Sequence, residues 1–312
     1  MDPFFELFPD RYPFVISEDS HFWRIGLKWP ETEEWYVDPN LADQARKCFG
    51  YSLAELPTHW EERNLGKPAF VFSMFHSRAL LAPAMALRKG HTARFSHIVH
   101  VDDHDDLMPP LLRRDVNALI DPIAQTIIDL HKIDSVNAAI DRGVISKGSF
   151  LAAYVLGSPL GSVIHVRENG FTTSFQIAVE SIERRIGSAI IATSAPSKQI
   201  ANSAGWRWQE APLLPLSLDD CQSVWLDVDL DAFCNRYDGD SDRAHALGTE
   251  SERAILRQRM DRFLDRLSNA SWKSRVDAVS IALSPGFFPS EYWNEAIPKI
   301  TNGVADIISG RR

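Results

Sequence analysis

Cysteine is scarce in this chain. There are three in 312 residues, Cys48, Cys221 and Cys234, widely spaced and with no C-x-x-C pair. An odd, scattered set argues against a disulfide framework and predicts a reducing compartment. Basic charge is also short: the formal net charge is −9. A nucleic-acid surface would want a basic stripe, so no nucleic-acid partner is expected, whereas a cationic substrate is compatible with this balance. No apolar run reaches the roughly 20 residues of a membrane span, so no membrane partner is expected. The opening, M-D-P-F-F-E-L-F-P-D, has no basic region followed by an apolar stretch. A signal peptide is therefore not expected, and a cytoplasmic location is. Internal repeats and low-complexity segments are lacking too.

What is there is a composition able to bury a large core, 45% hydrophobic. Residues 1–65 differ from the rest. They hold Trp23, Trp29, Trp35 and Trp60, four of the nine tryptophans, and prolines at 3, 9, 13, 30, 39 and 57. They read as an elaboration packed on a main domain spanning 66–312. Trp23–Val37 predicts short strands with a turn at Pro30, and Asn40–Phe49 a short helix. From about residue 68 the pattern is α/β. Strands are predicted at Ala69–Ser73, His97–Val101, Ser162–Val166, Ser188–Thr193 (after Gly187), Trp206–Trp208, Val224–Val228 and Val276–Leu283. Helices are predicted at Arg78–Lys89, Asp121–His131, Asp134–Arg142, Ser149–Leu156, Ile177–Ile186, Thr249–Leu267 and Ser290–Ile308. Strands apolar on both faces and alternating with helices imply a mostly parallel sheet covered on both sides, a three-layer α/β/α arrangement. Ligands in such sheets bind beyond the carboxyl ends of the strands.

Three segments at such ends carry metal-binding residue types: F-S-M-F-H-S-R at 72–78, V-D-D-H-D-D-L at 101–107 and W-L-D-V-D-L-D at 225–231. Asp102, His104 and Asp106 recur at every second position, so in an extended segment they point the same way. Asp227 and Asp229 repeat the device. Carboxylates and imidazoles beside apolar strands are costly to bury without a cation. A carboxylate-rich set with few imidazoles and no thiolate suits Mn²⁺ better than a structural Zn²⁺. Asp103 and Asp105 fall on the opposite face, as outer or exposed groups. His100 shares the face of Asp102 one step deeper and reads as an outer or core residue, His97 as structural. Asp231 continues the D-x-D spacing and reads as a group supporting the ligands.

A lone histidine after one strand, D-x-H-x-D after the next and D-x-D on a later strand resemble the ureohydrolase superfamily, the arginases and agmatinases. The resemblance implies an arginase-like fold and two manganese ions. By it, His76, Asp102, Asp106 and Asp227 would hold one ion, and Asp102, His104, Asp227 and Asp229 the other. Two ions about 3.5 Å apart would acidify a shared water at neutral pH. Asp106 would carry its proton to the leaving amine.

The resemblance is incomplete. Classical arginases have a guanidinium-binding glutamate in an E-V-N-P run after the last strand. Here that stretch reads S-P-G-F-F-P-S-E-Y-W, and Glu291 is the candidate replacement, with Ser284 as a second pocket residue. The family's amino-acid clamp and catalytic histidine have no counterpart in L-M-P-P-L-L-R-R-D at 107–115. His165, at a strand end, is the candidate proton relay. The missing clamp, together with the I-S-K-G-S-F-L-A-A, D-V-D-L-D-A-F and late S-P runs, resembles a divergent branch that includes peptide arginases. These convert arginine side chains of ribosomally made precursor peptides to ornithine. The resemblance spans roughly 68–310; residues 1–65 could form the peptide-binding surface. The expectation is thus a binuclear manganese hydrolase acting on an arginine-containing precursor peptide. The alternatives are a small-molecule ureohydrolase or amidohydrolase, a one-zinc deacetylase-like relative and a non-enzymatic metal-binding module. Classical relatives assemble, so a homo-oligomer is among the expectations, although no interface signal stands out.

Overall fold

A computed structural model describes residues 4, 6–18, 23–64, 66–91, 94–116, 118–158, 161–168, 170, 172–186, 189–199, 205–246 and 248–311. The expectations placed on Pro3, Gly187 and Ser188 lie outside them. The series opens with a hairpin, β1 (Tyr12–Glu18) and β2 (Trp23–Lys28), then α1 (Glu33–Tyr36), α2 (Leu41–Phe49) and β3 (Trp60–Glu62). β4 (Ala69–Ser73), α3 (Leu81–Arg88) and β5 (His97–Val101) follow. Next come β6 (Arg113–Asp115), β7 (Ala118–Asp121), β8 (Thr126–Ile128), α4 (Ile133–Asp141) and α5 (Phe150–Gly157). Then come β9 (Ser162–Val166), β10 (Thr173–Ile186), β11 (Ala189–Gln199), β12 (Trp206–Ala211) and β13 (Val224–Asp229). α6 (Glu250–Asn269), β14 (Val276–Ala282) and α7 (Trp293–Ile308) complete it.

The fold is mixed α/β around a nine-stranded sheet of order β11-β10-β12-β9-β5-β13-β14-β4-β3. Six adjacent strands, β12 through β4, run parallel. β10, β11 and β3 join antiparallel at the two sides. The parallel strands are short apolar runs buried at nearly every position, as strands covered on both faces must be. Alternate side chains enter two separate cores. Phe70, Phe72, Val99, Leu226 and Val228 pack with apolar residues of α2, α6 and α7. Val71, Ile98, Val163 and Trp225 pack with those of α3, α4 and α5. The N-terminal segment serves both: Phe4, Leu7 and Phe8 enter the second core, Tyr36, Leu41 and Leu56 the first.

Parallel register fixes the site. Asp227 stands opposite His100 on β5 and Ser280 on β14, and Asp229 opposite Ala282. Strands β4, β5, β13 and β14 therefore end together, and the chain leaves all four at one edge of the sheet.

Three predictions from local pattern are corrected. Ile177–Ile186 is strand, not helix: β10 pairs with β11 along its length and with β12 at its start. Phe175, Ile177 and Val179 alternate at period two, and this long-range pairing overrides the helical spacing of Ile182 and Ile186. Asp121–His131 is not a helix but the turn after β7 and the last strand, β8, of the three-stranded meander β6-β7-β8. Asp121 Oδ1 accepts the N–H groups of Ile123 and Ala124, so Asp121-Pro122 opens an Asx turn instead of a helix. Trp23–Val37 ends its strand at Lys28, before Pro30, and becomes helical at Glu33–Tyr36.

Candidate metal centre

His76 follows β4 in a short 3₁₀ turn and is buried. Its Nε2 lies 3.0 Å from Asp227 Oδ2. Its Nδ1 lies 3.0 Å from Oδ2 of Asp102, 3.0 Å from Oδ2 of Asp106 and 2.9 Å from Oδ2 of Asp229. Yet His76 Nδ1 and the Oδ2 atoms of Asp102 and Asp106 are not in hydrogen-bonding geometry with any described partner. One imidazole N–H could satisfy one carboxylate, not three. His100, fully buried, places Nδ1 2.8 Å from Asp227 Oδ2 and Nε2 3.6 Å from Asp102 Oδ2.

Charge makes the same point. Asp102, Asp106, Asp227 and Asp229 are all buried around His76. Even with His76 and His100 both protonated, four carboxylates leave an excess of two negative charges. Uncompensated buried charge is prohibitive, and a divalent ion removes it. His76, His100, Asp102 and Asp227 thus form a cluster that could hold a metal ion, the first three with ligand atoms close enough to share it.

The electrostatics follow from this crowding. Burial would lower the His76 pKa, but Asp227, Asp229 and their neighbours hold it well above the ordinary imidazole value. Burial would raise Asp227, but His76 and His100 bring it down to about 2. Burial and the charge of Asp102 push Asp106 up to about 7. Burial, with Asp102 and Asp229, holds Asp231 well above the carboxylate range.

Supporting contacts fix these side chains. Asp227 Oδ1 accepts from Ser280 Oγ at 2.5 Å, which accepts in turn from Trp225 Nε1 at 2.7 Å. Ser284 Oγ donates to Asp229 Oδ2. Asp106, Asp238 and Ser284 are among the six non-glycine residues at positive φ found in the described residues (48°, 54° and 44°). All three line one cavity, and left-handed backbone at non-glycine residues gathers at functional sites.

That cavity, about 380 Å³, opens onto the cluster. His76, Asp102, Asp106 and Asp229 form its floor; Asp10, Asp105, Lys147, Asp238 and Phe287 stand around it. Lys147 arrives through the I-S-K-G-S run, where Ser146 and Ser149 form a reciprocal cap leading into α5. Asp10 comes from the N-terminal segment, its Oδ2 accepting the Lys147 N–H at 2.6 Å. A smaller crevice of about 60 Å³ beside Arg259, Arg262 and Arg266 contains none of these residues.

All six sequence-predicted ligands lie in one neighbourhood, but His104 stands apart from Asp227 and Asp229. Its Nδ1 lies 3.1 Å from Asp231 and its Nε2 3.2 Å from Asp238. Ser284 lines the cavity as expected. Glu291 does not: it is ion-paired at 2.8 Å to Arg236 and accepts from Asn40. Its side chain is thus committed to tying the loop after β13 to the start of α7. His165 is buried, donates to or accepts from nothing in the cavity, and sets Nε2 3.0 Å from the Asp102 carbonyl oxygen. It backs the Asp102 loop and does not line the cavity, and burial with nearby His100 pushes it down to about 4. The roles expected of Glu291 and His165 therefore lack the necessary position.

Two contributors escaped the sequence. His100 was legible only as a same-face neighbour of Asp102, and its contact with Asp227 needs the β5–β13 register. Asp10 carries no local signal at all. No family model matches the chain, and no curated protein matches it.

Proposed function

We propose that the chain is a metal-dependent hydrolase of three-layer, arginase-like architecture that binds two Mn²⁺ ions and cleaves the guanidinium of arginine residues in a peptide, releasing urea and leaving ornithine. The observation that carries this reading is the convergence of four buried carboxylates on His76, two of whose oxygens, Oδ2 of Asp102 and of Asp106, no described donor satisfies. His76, Asp102, Asp106, Asp227 and Asp229 would hold the first ion and contribute to the second, with His104. Oxygen-dominated donors with imidazole and no thiolate fit Mn²⁺. Bound there, the pair of ions would supply a water acidified to neutral pH.

The residues around the cavity do the rest. Asp10, Asp105 and Asp238 make its wall acidic, which suits a cationic side chain and disfavours an anionic one. Asp106, on the floor and beside His76, is the group placed to hand a proton to the departing amine. Ser284 keeps Asp229 oriented.

The test is to incubate purified, Mn²⁺-loaded protein with an arginine-containing precursor peptide and follow its mass. Loss of one cyanamide equivalent per arginine, with urea released, is expected. An unchanged peptide with rapid hydrolysis of free arginine or agmatine would identify a small-molecule ureohydrolase. Full turnover by Asp102→Asn or Asp227→Asn would remove the metal mechanism altogether.

A further inference from the structure

Resting on the two-ion reading, we propose that Asp231 is a ligand of the second ion, together with Asp102 and His104, and takes the place that the family resemblance gives to Asp227. The strand geometry explains how. β13 ends at Asp229, and Leu230–Ala232 turns at once into a 3₁₀ turn. Asp229 Oδ1 accepts the Asp231 N–H at 3.1 Å, which folds the turn back toward β5. Asp231 therefore does not continue along the strand. Its Oδ2 comes 3.1 Å from His104 Nδ1, and its Oδ1 accepts a long bond from the Asp103 N–H, at 3.4 Å. Ligand atoms of Asp102, His104 and Asp231 all lie within 4.8 Å of one another.

Asp227 is placed differently. It is fully buried and does not line the cavity. Its Oδ1 is taken by Ser280, and its Oδ2 faces His76 and His100. Asp231 lines the cavity beside His104. Asp102 joins the two groups. Its Oδ1 lies 3.4 Å from His104 Nδ1, and its Oδ2, on a residue 1% exposed, has no hydrogen-bond partner and points at His76. One carboxylate with its two oxygens in two clusters is the arrangement a bridging ligand needs, with His76 on one side and His104 with Asp231 on the other.

The test is metal content and electron paramagnetic resonance of the Mn²⁺-loaded full chain, with folding checked by circular dichroism. Wild type is expected to hold two ions per chain with the spectrum of a coupled pair. Asp231→Asn is expected to hold one, with the spectrum of an isolated Mn²⁺. A folded Asp231→Asn that keeps two coupled ions overturns the assignment. Wild type with a single ion overturns the two-ion reading instead. Should Asp231→Asn fail to fold, anomalous diffraction from Mn²⁺-loaded wild-type crystals decides. A second peak within bonding distance of Asp231 supports the assignment; one on Asp227 and Asp229 and away from Asp231 overturns it.

Discussion

Ser280 shows how much a single uncharged atom can govern at this site. Its hydroxyl donates to Asp227 and receives the indole N–H of Trp225, all three side chains being buried. Ser280→Ala removes the group that orients a ligand, and such losses typically lower metal affinity by roughly 10–100-fold. It also strands the Trp225 N–H, at about 1–3 kcal/mol. Mn²⁺ titration and urea unfolding measure the two effects separately. The protonation of the cluster gives a second expectation. His76 is held well above the ordinary imidazole value and Asp106 at about 7, so ion binding must displace protons from both. Mn²⁺ affinity should accordingly rise between roughly pH 6 and pH 8, with proton release detectable by calorimetry in buffers of different ionisation enthalpy. An affinity that is flat across that range would contradict it. The metal-binding residue types at the strand ends were legible because period-two spacing places them on one face. The position of Asp231 was not, because a 3₁₀ turn reverses the direction that the spacing implies.

At the level of elements, the loops leaving β13 and β14 carry the demanding geometry. Gly286 has φ +90°, and a Cβ there would sit 2.8 Å from the Tyr36 carbonyl oxygen. Gly286→Ala therefore meets backbone strain and a backbone clash together, and should destabilise by about 1–3 kcal/mol or more. Because this loop also carries Ser284 and Phe287, thermal melting and metal affinity should fall together. Arg236, almost fully buried, holds Glu252 at the start of α6, Glu291 ahead of α7, and the hydroxyl of Tyr292. Arg236→Met removes one partner of a buried network, which costs about 3–5 kcal/mol in full burial. Both glutamates are more than a quarter exposed, so the lower end or less is expected in urea unfolding. The parallel strands were readable from short apolar runs, since burial on both faces leaves no other composition. β10 was not, because what decides it is pairing with β11 and β12, which no local period reports.

Considered as a whole, the molecule concentrates its excess acidity where a cation would relieve it. The chain carries a net charge of −9, and a set of its carboxylates faces inward around His76. Ions that bind only the folded state stabilise it by about 2.7 kcal/mol at a hundredfold excess over Kd. Chelation should therefore lower the melting temperature, by roughly 2–4 °C per kcal/mol for a domain of about this size. Differential scanning fluorimetry with EDTA and then excess Mn²⁺ measures the loss and its recovery. An identical melting temperature in both would mean that the cluster holds no ion. Among the described residues, no helix is long and apolar enough to cross a membrane.

Asp10 reaches the cavity from far ahead of the first ligand in the chain and is fastened there by the Lys147 amide. Part of the cavity wall is therefore supplied by a segment that contributes none of the buried carboxylates around His76. Replacing that stretch should alter what the cavity admits while leaving His76, Asp102, Asp106 and Asp229 in place on its floor.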